Sequence, residues 1–230
     1  MRALEIVKAV ILLVCLTFSS SAEDSPSVSI AIQGSKLPAD HPFALCATCH
    51  GDVGEGNKEL MAPRLMGQHM AYLKNQMKAF KNGWRGKDPE HAQGLMMSNA
   101  VAGLSEGQID AALKYLSEVN ERQPSHRIFG DRWRGEHLYQ RGCAICHGEE
   151  GEGSTQYHMA KLNMQHGWYL EKQLNRFRSG KRGVHTKDES GKTMAFYAKL
   201  LPDDESVTDV VAYLTYLARL KYREKETAID

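Results

Sequence analysis

The 230-residue sequence has almost no charge excess: 29 Lys and Arg stand against 28 Asp and Glu, for a formal net charge of +1. Nucleic-acid binders normally show a strong basic excess, so that class is excluded. Long apolar runs are nearly missing as well. The only one, Ala9 to Phe18, spans ten residues, well short of the ~20 that a membrane-crossing helix needs. Alternating apolar and polar runs are scarce, which removes most of the case for β-structure. Cysteine is sparse and odd in number, at five, so an exported protein that used disulfides alone would keep a spare thiol. What remains, 42% apolar and 25% charged residues, describes a soluble globular chain with length for two domains of about a hundred residues each.

The chain opens with Met1-Arg2 and Lys8, continues through the apolar run and reaches Ser20-Ser21-Ala22 before Glu23-Asp24. That is the three-part plan of a secretory signal peptide. Residues 1–22 are therefore expected to be removed on export, which places the mature chain in the periplasm. Lipid attachment at Cys15 is the rival reading, but Val14 is bulkier than the small residue such a site prefers. Cleavage takes Cys15 away and leaves four cysteines in two clusters.

Those clusters belong to an internal repeat. Cys46-Ala47-Thr48-Cys49-His50-Gly51 returns 97 residues later as Cys143-Ala144-Ile145-Cys146-His147-Gly148. The same offset carries Gln68, His69, Tyr72, Leu73, Gln76, Phe80 and Arg85 onto Gln165, His166, Tyr169, Leu170, Gln173, Phe177 and Arg182. Without a gap, 21 of the 59 positions from Cys46 to Leu104 are identical. The chain is a duplicated domain, joined through Asn120 to Asp131, where Pro124 and Gly130 interrupt any helical pattern. A boundary near His126 gives domains 23–126 and 127–230, slightly acidic and slightly basic respectively. The fold class expected is all-α, two tandem helical domains. Ser105 to Val119 and Pro202 to Leu220 read as closing helices, whereas Gly83 to Ala102 and Gly180 to Lys199 are polar and glycine-rich, as loops are.

Cys-x-x-Cys-His is the attachment signature of c-type haem. Two thiols one short turn apart add across the two porphyrin vinyl groups, and the adjacent imidazole is held beneath the iron. Cys46, Cys49, Cys143 and Cys146 are thus the expected covalent anchors of two haem c groups, with His50 and His147 as proximal ligands. A thioredoxin-like pair needs a βαβ context that this chain lacks. A shared zinc site, or disulfides within each cluster, would leave both histidines and the duplication without a reason.

For the sixth iron position, a thioether gives a higher potential than a second imidazole, and an open position invites ligand chemistry. Met97 and Met194 each lie 47 residues past the proximal His. A single such Met is more often core filling, but a matched pair in the two repeats favours ligation. Met96 is a local rival, and its repeat equivalent is Thr193. His69 and His166 are the imidazole alternative, expected at the exposed start of a helix. Unmatched His91, His158 and His185 are expected to face solvent.

The order Cys-x-x-Cys-His-Gly, Gly-x-Gly, Pro63 to Gln68, Tyr-Leu-x-x-Gln, Phe-x-x-Gly-x-Arg, Met, Leu104 to Glu106 resembles the class I cytochrome c domains of the dihaem cytochrome c4 family, over nearly the whole mature chain. The resemblance implies Met97 and Met194, each seven residues before the Leu of the closing-helix signal, as distal ligands. It also implies that the Pro63 carbonyl receives the proximal imidazole proton; the second repeat has Ala160 there. Arg85 and Arg182 suit haem propionates and equally suit a solvated loop.

With both axial positions filled, the chemistry left is outer-sphere electron transfer, so the expected protein is an electron carrier and not an enzyme. Its expected partners are redox proteins: a quinol-oxidising complex or dehydrogenase upstream, and a terminal oxidase or reductase downstream, with peripheral membrane association left open. An alternative is the electron-accepting subunit of a dehydrogenase, for example in sulfide or thiosulfate oxidation. A dihaem peroxidase would need one displaceable ligand, against which the matched methionines argue.

Overall fold

The computed structural model describes residues 35–124 and 126–227. The expected signal peptide over 1–22, Cys15 included, lies outside them. The first repeat holds α1 (Ala44–His50), α2 (Met70–Lys81), α3 (Ala92–Ala102) and α4 (Glu106–Glu118). The second holds α5 (Arg132–Gly142), α6 (Ala144–His147), α7 (Gly167–Arg178), α8 (Glu189–Ala198) and α9 (Asp204–Thr227). Among the described residues there is no strand, only the isolated bridges Asn57–Ala62 and Ser154–Met159. The architecture is all-α and duplicated.

Each repeat is built on two amphipathic helices. In α2 the buried side chains are Leu73, Met77 and Phe80, and α7 repeats them as Leu170, Leu174 and Phe177, the i, i+4, i+7 stripe of a half-buried helix. These stripes pack against the closing helices, through Ile109, Leu113 and Leu116 of α4 and through Val207, Val210, Val211 and Leu214 of α9. A capping box starts α4: Ser105 accepts from the Gln108 amide at 3.2 Å and Gln108 returns the bond to the Ser105 amide at 2.9 Å. This satisfies two N–H groups that the first turn would otherwise leave unpaired.

The two stretches expected as loops contain helices. Residues 92–102 form α3 and residues 189–198 form α8. Their buried faces are Gly94, Ser98 and Val101 in one, and Gly191, Ala195 and Ala198 in the other. The spacing is helical, but the residues are too small to produce an apolar stripe. The glycines have a packing reason: a Cβ on Gly86 would sit 2.5 Å from the Gly94 carbonyl oxygen, and one on Gly183 only 2.1 Å from that of Gly191. In each repeat the preceding loop therefore lies directly on the helix, which fixes where Met97 and Met194 are presented.

The repeats differ at their ends. In the second, α5 runs along α9, whereas Pro38 and Pro42 stand at the corresponding place in the first, where the described chain is in turns and bends until α1. Phe43 and Tyr115, with ring centroids 5.3 Å apart, fill that end of the first core. Helix α9 also continues past the expected Leu220. The crossing of α5 and α9 depends on Gly135, where a Cβ would lie 2.0 Å from the Asp209 carbonyl oxygen. Gly135→Val is expected to force the two helices apart and to cost on the order of 3 kcal/mol, measured by denaturant unfolding of the haem-loaded protein, with Gly142→Ala, where nothing lies within 4 Å of an added Cβ, as the neutral comparison.

Candidate functional site

Helix α1 carries Cys46 and, about one turn on, the adjacent Cys49 and His50, and α6 carries Cys146 and His147 just after its N-cap residue Cys143. All four cysteines are half-buried, and none is joined to another in a disulfide. Burial pushes the Cys46 and Cys143 thiols up to about 11.

The histidines are tightly placed. His50 donates from Nδ1 to the Pro63 carbonyl at 2.7 Å, and His147 donates to the Ala160 carbonyl at 2.9 Å. Substituting Ala for Pro therefore keeps the bond. Burial holds both imidazoles below their ordinary pKa, with the carbonyls opposing it. Each ring is thus fixed as the tautomer with its proton on Nδ1, which leaves the Nε2 lone pair as the available ligand.

Met97 packs against the core that contains Leu73, Phe80 and Leu113, as does Cys46; Met194 and Cys143 pack likewise against the second core. Met96 points out, with 61% of its surface exposed. Each repeat thus packs its first motif Cys and its matched Met against one core, and Met97 is set apart from its exposed neighbour.

Several polar residues read as exposed or undecided meet between the repeats. Arg85 donates to Gln76 at 2.6 Å, to Tyr169 at 2.7 Å and to Gln173 at 3.4 Å, while Arg182 donates to Gln173 at 2.6 Å and to Gln76 at 3.0 Å. Each guanidinium also lies over a ring of its own repeat, Arg85 over Phe80 and Arg182 over Phe177. Burial and the charge of Arg85 hold the Arg182 pKa below its ordinary value. Beside this pair runs a cleft of about 580 Å³ lined by residues of both repeats, His91 and His185 among them. Of the three unmatched histidines only His158 is fully exposed. Burial, with Arg176 and Lys172 nearby, lowers His91 to about 4, and His185 stacks on Trp84 at 6.1 Å.

His69 and His166 stand at the starts of α2 and α7, as expected, but His166 is buried and His69 half-buried instead of exposed. They donate across the interface in mirrored fashion, His69 to the Glu152 carbonyl at 2.8 Å and His166 to the Glu55 carbonyl at 2.7 Å. Gln68 and Gln165 are mirrored too. Gln165 accepts from the Arg64 amide at 3.1 Å and donates to the Arg64 carbonyl at 2.8 Å; Gln68 accepts from the Lys161 amide at 2.8 Å and donates to its carbonyl at 3.0 Å. The identity of Gln-His between repeats was the available signal, and only the interface gives it meaning.

The cytochrome c family model matches residues 34–120 and again 133–218. Cytochrome c4 of Azotobacter vinelandii is 31% identical over 77% of this chain and 85% of its own. The chain is a dihaem member of the cytochrome c4 family. A thiosulfate dehydrogenase electron acceptor of Stutzerimonas stutzeri is 28% identical over 91% of this chain and 93% of its own. The solved structure of Acidithiobacillus ferrooxidans cytochrome c4 superposes with a TM-score of 0.59 at 26% identity, covering 75% of this chain and 98% of that one. As a dihaem cytochrome of this family the chain carries two covalently bound haem c groups and transfers electrons; it is not an enzyme.

The residues present suit those groups. Each motif pairs thiols with an imidazole whose Nε2 is free to ligate, and two guanidiniums meet only neutral hydrogen-bond partners among the described residues, a charge balance that favours anionic propionates nearby.

One titration is built into the domain contact of the cytochrome. Burial lowers His166 to about 4, opposed by the Glu55 carbonyl and aided by His126 and Arg64. Its Nδ1 already faces Nδ1 of His126 at 3.3 Å, so a second proton there meets another donor. The unfolded chain takes up that proton near pH 6.5 and the folded one near 4. Stability from this group is full above about pH 6.5 and declines as the pH falls toward 4. His166→Gln, neutral throughout, is expected to flatten the pH dependence of unfolding in that window, by no more than about 3 kcal/mol at its acid end.

Proposed function

We propose that this cytochrome shuttles single electrons between periplasmic redox proteins through two histidine/methionine-ligated haems, with domains 23–126 and 127–230 holding one haem each after removal of residues 1–22. Cys46, Cys49, Cys143 and Cys146 form the thioethers, His50 and Met97 ligate one iron, and His147 and Met194 the other. The observation that supports this reading is the same in both repeats: an imidazole with Nδ1 tied to a carbonyl, and a Met packed against the core from a helix pinned by a Gly–Gly contact. Bound haem supplies one-electron cycling of its iron. The protein holds each ring rigid, keeps both axial positions occupied by its own side chains, and supplies Arg85 and Arg182 as counter-charge where the two domains meet. No helix among the described residues is long and apolar enough to cross a membrane.

The likeness to a thiosulfate dehydrogenase electron acceptor favours a second reading of the partner, in which this cytochrome drains a dehydrogenase. Purification of the native protein at a fixed stoichiometry with such an enzyme decides for it; recovery free of any enzyme decides for the diffusible carrier. For the ligand set, Met97→Ala and Met194→Ala are each expected to abolish about half of the sulfur-to-iron absorption band of the ferric protein, while Cys49→Ser and Cys146→Ser each lower the haem count seen by intact mass. A full band after either Met change refutes the distal assignment.

A further inference from the structure

The mirrored glutamines touch a particular peptide group. The Pro63 carbonyl that accepts the His50 proton and the Arg64 amide that donates to Gln165 belong to the same peptide unit. In the other repeat, the Ala160 carbonyl accepts from His147 and the Lys161 amide donates to Gln68. Each unit is therefore hydrogen-bonded at both ends, to the proximal imidazole of its own domain and to a glutamine of the other. Gln68 and Gln165 are 9% and 6% exposed, so water has little access to these bonds.

Accepting a hydrogen bond from an amide N–H draws the amide toward its charge-separated form and makes its carbonyl oxygen more negative, a mutual strengthening that matters most at low dielectric. A more negative oxygen pulls harder on the imidazole proton. The ring gains imidazolate character, donates more strongly and favours the ferric state. We infer that Gln165 and Gln68 are crossed positioning residues: each sets the donor strength of the proximal histidine in the opposite domain through one shared peptide unit. The inference rests on the ligation by His50 and His147 proposed above. An interface clamp alone would be served by any backbone group; here the same one is engaged in both domains. His69 and His166 provide the contrast. Their acceptors, Glu152 and Glu55, precede the Gly153 and Gly56 amides that bond to the main-chain oxygens of His147 and His50, so they hold the backbone of the histidines and leave the rings alone.

The test uses the full-length two-haem protein, with potentiometric titration resolving both haem steps and NMR of the two Nδ1–H protons in the diamagnetic ferrous state. Gln165→Leu is expected to raise one potential and to move the His50 Nδ1–H upfield, with His147 unchanged. Gln68→Leu is expected to raise the other potential and to move His147 alone. Gln165→Glu keeps an acceptor facing Arg64 and is expected to leave the His50 proton in place or shift it downfield. His69→Ala removes an interdomain bond without touching either peptide unit and is expected to shift neither proton. Should the Leu variants fail to fold, Gln165→Asn withdraws the acceptor while keeping a polar group, and the same His50 shift is expected. Both histidines moving together in each variant, or neither moving, overturns the crossed coupling. Wild-type protein in which His50 and His147 lack Nδ1–H resonances shifted by a porphyrin ring current would instead refute the ligand assignment itself.

Discussion

The hydrogen bond from each motif histidine to a backbone carbonyl thirteen residues further on is the constraint around which each domain is arranged. It chooses the tautomer, restrains the ring and leaves Nε2 as the nitrogen with a lone pair. The intervening chain has to loop back for it, and it does so through a tight pair of bridged residues, Asn57 with Ala62 or Ser154 with Met159. The same loop turns Arg64 and Lys161 toward the other domain. Ligand orientation and domain docking are therefore consequences of one chain path.

Docking in turn brings unlike chemistry together in an orderly way. Near the proximal side, glutamine and histidine side chains cap backbone groups, and the Lys161–Glu121 ion pair at 2.8 Å lies beside them. Farther along the interface Arg85 and Arg182 meet among Gln76, Gln173 and Tyr169, and the Arg176–Asp88 pair at 2.7 Å bridges the domains at its edge. The Tyr169 hydroxyl registers this field: burial pushes its pKa up, and the two guanidiniums outweigh that and bring it below its usual value. Two cations are tolerable at such a place when anionic groups of the cofactor share it.

Much of this was legible in the residues themselves. The duplication, the all-α class and the two attachment motifs follow from spacing, and the closing helix expected from Ser105 begins within a residue of α4. Helices α3 and α8 were not legible because their buried faces are made of Gly, Ser, Ala and Val, whose helical period carries little hydrophobic contrast. His69, His166, His91 and His185 were misread for a different reason. A sequence shows which residues are polar, but partners from the other repeat decide whether a polar residue is solvated or buried against a carbonyl. Retention of the Ala160 bond shows the reverse case, in which a departure from the expected residue changes little because every residue has a carbonyl.

The crossed glutamine contacts also bear on how the two halves of the gene can diverge. After a duplication, each copy ordinarily drifts under its own constraints. Here the peptide unit that holds one domain's motif histidine is also held by a side chain encoded in the other half, so a substitution at position 165 reaches the contacts of position 50 and one at 68 those of 147. The two halves are free to diverge in their helix lengths, surface residues and charge. Across the shared contact they are inherited as a single unit.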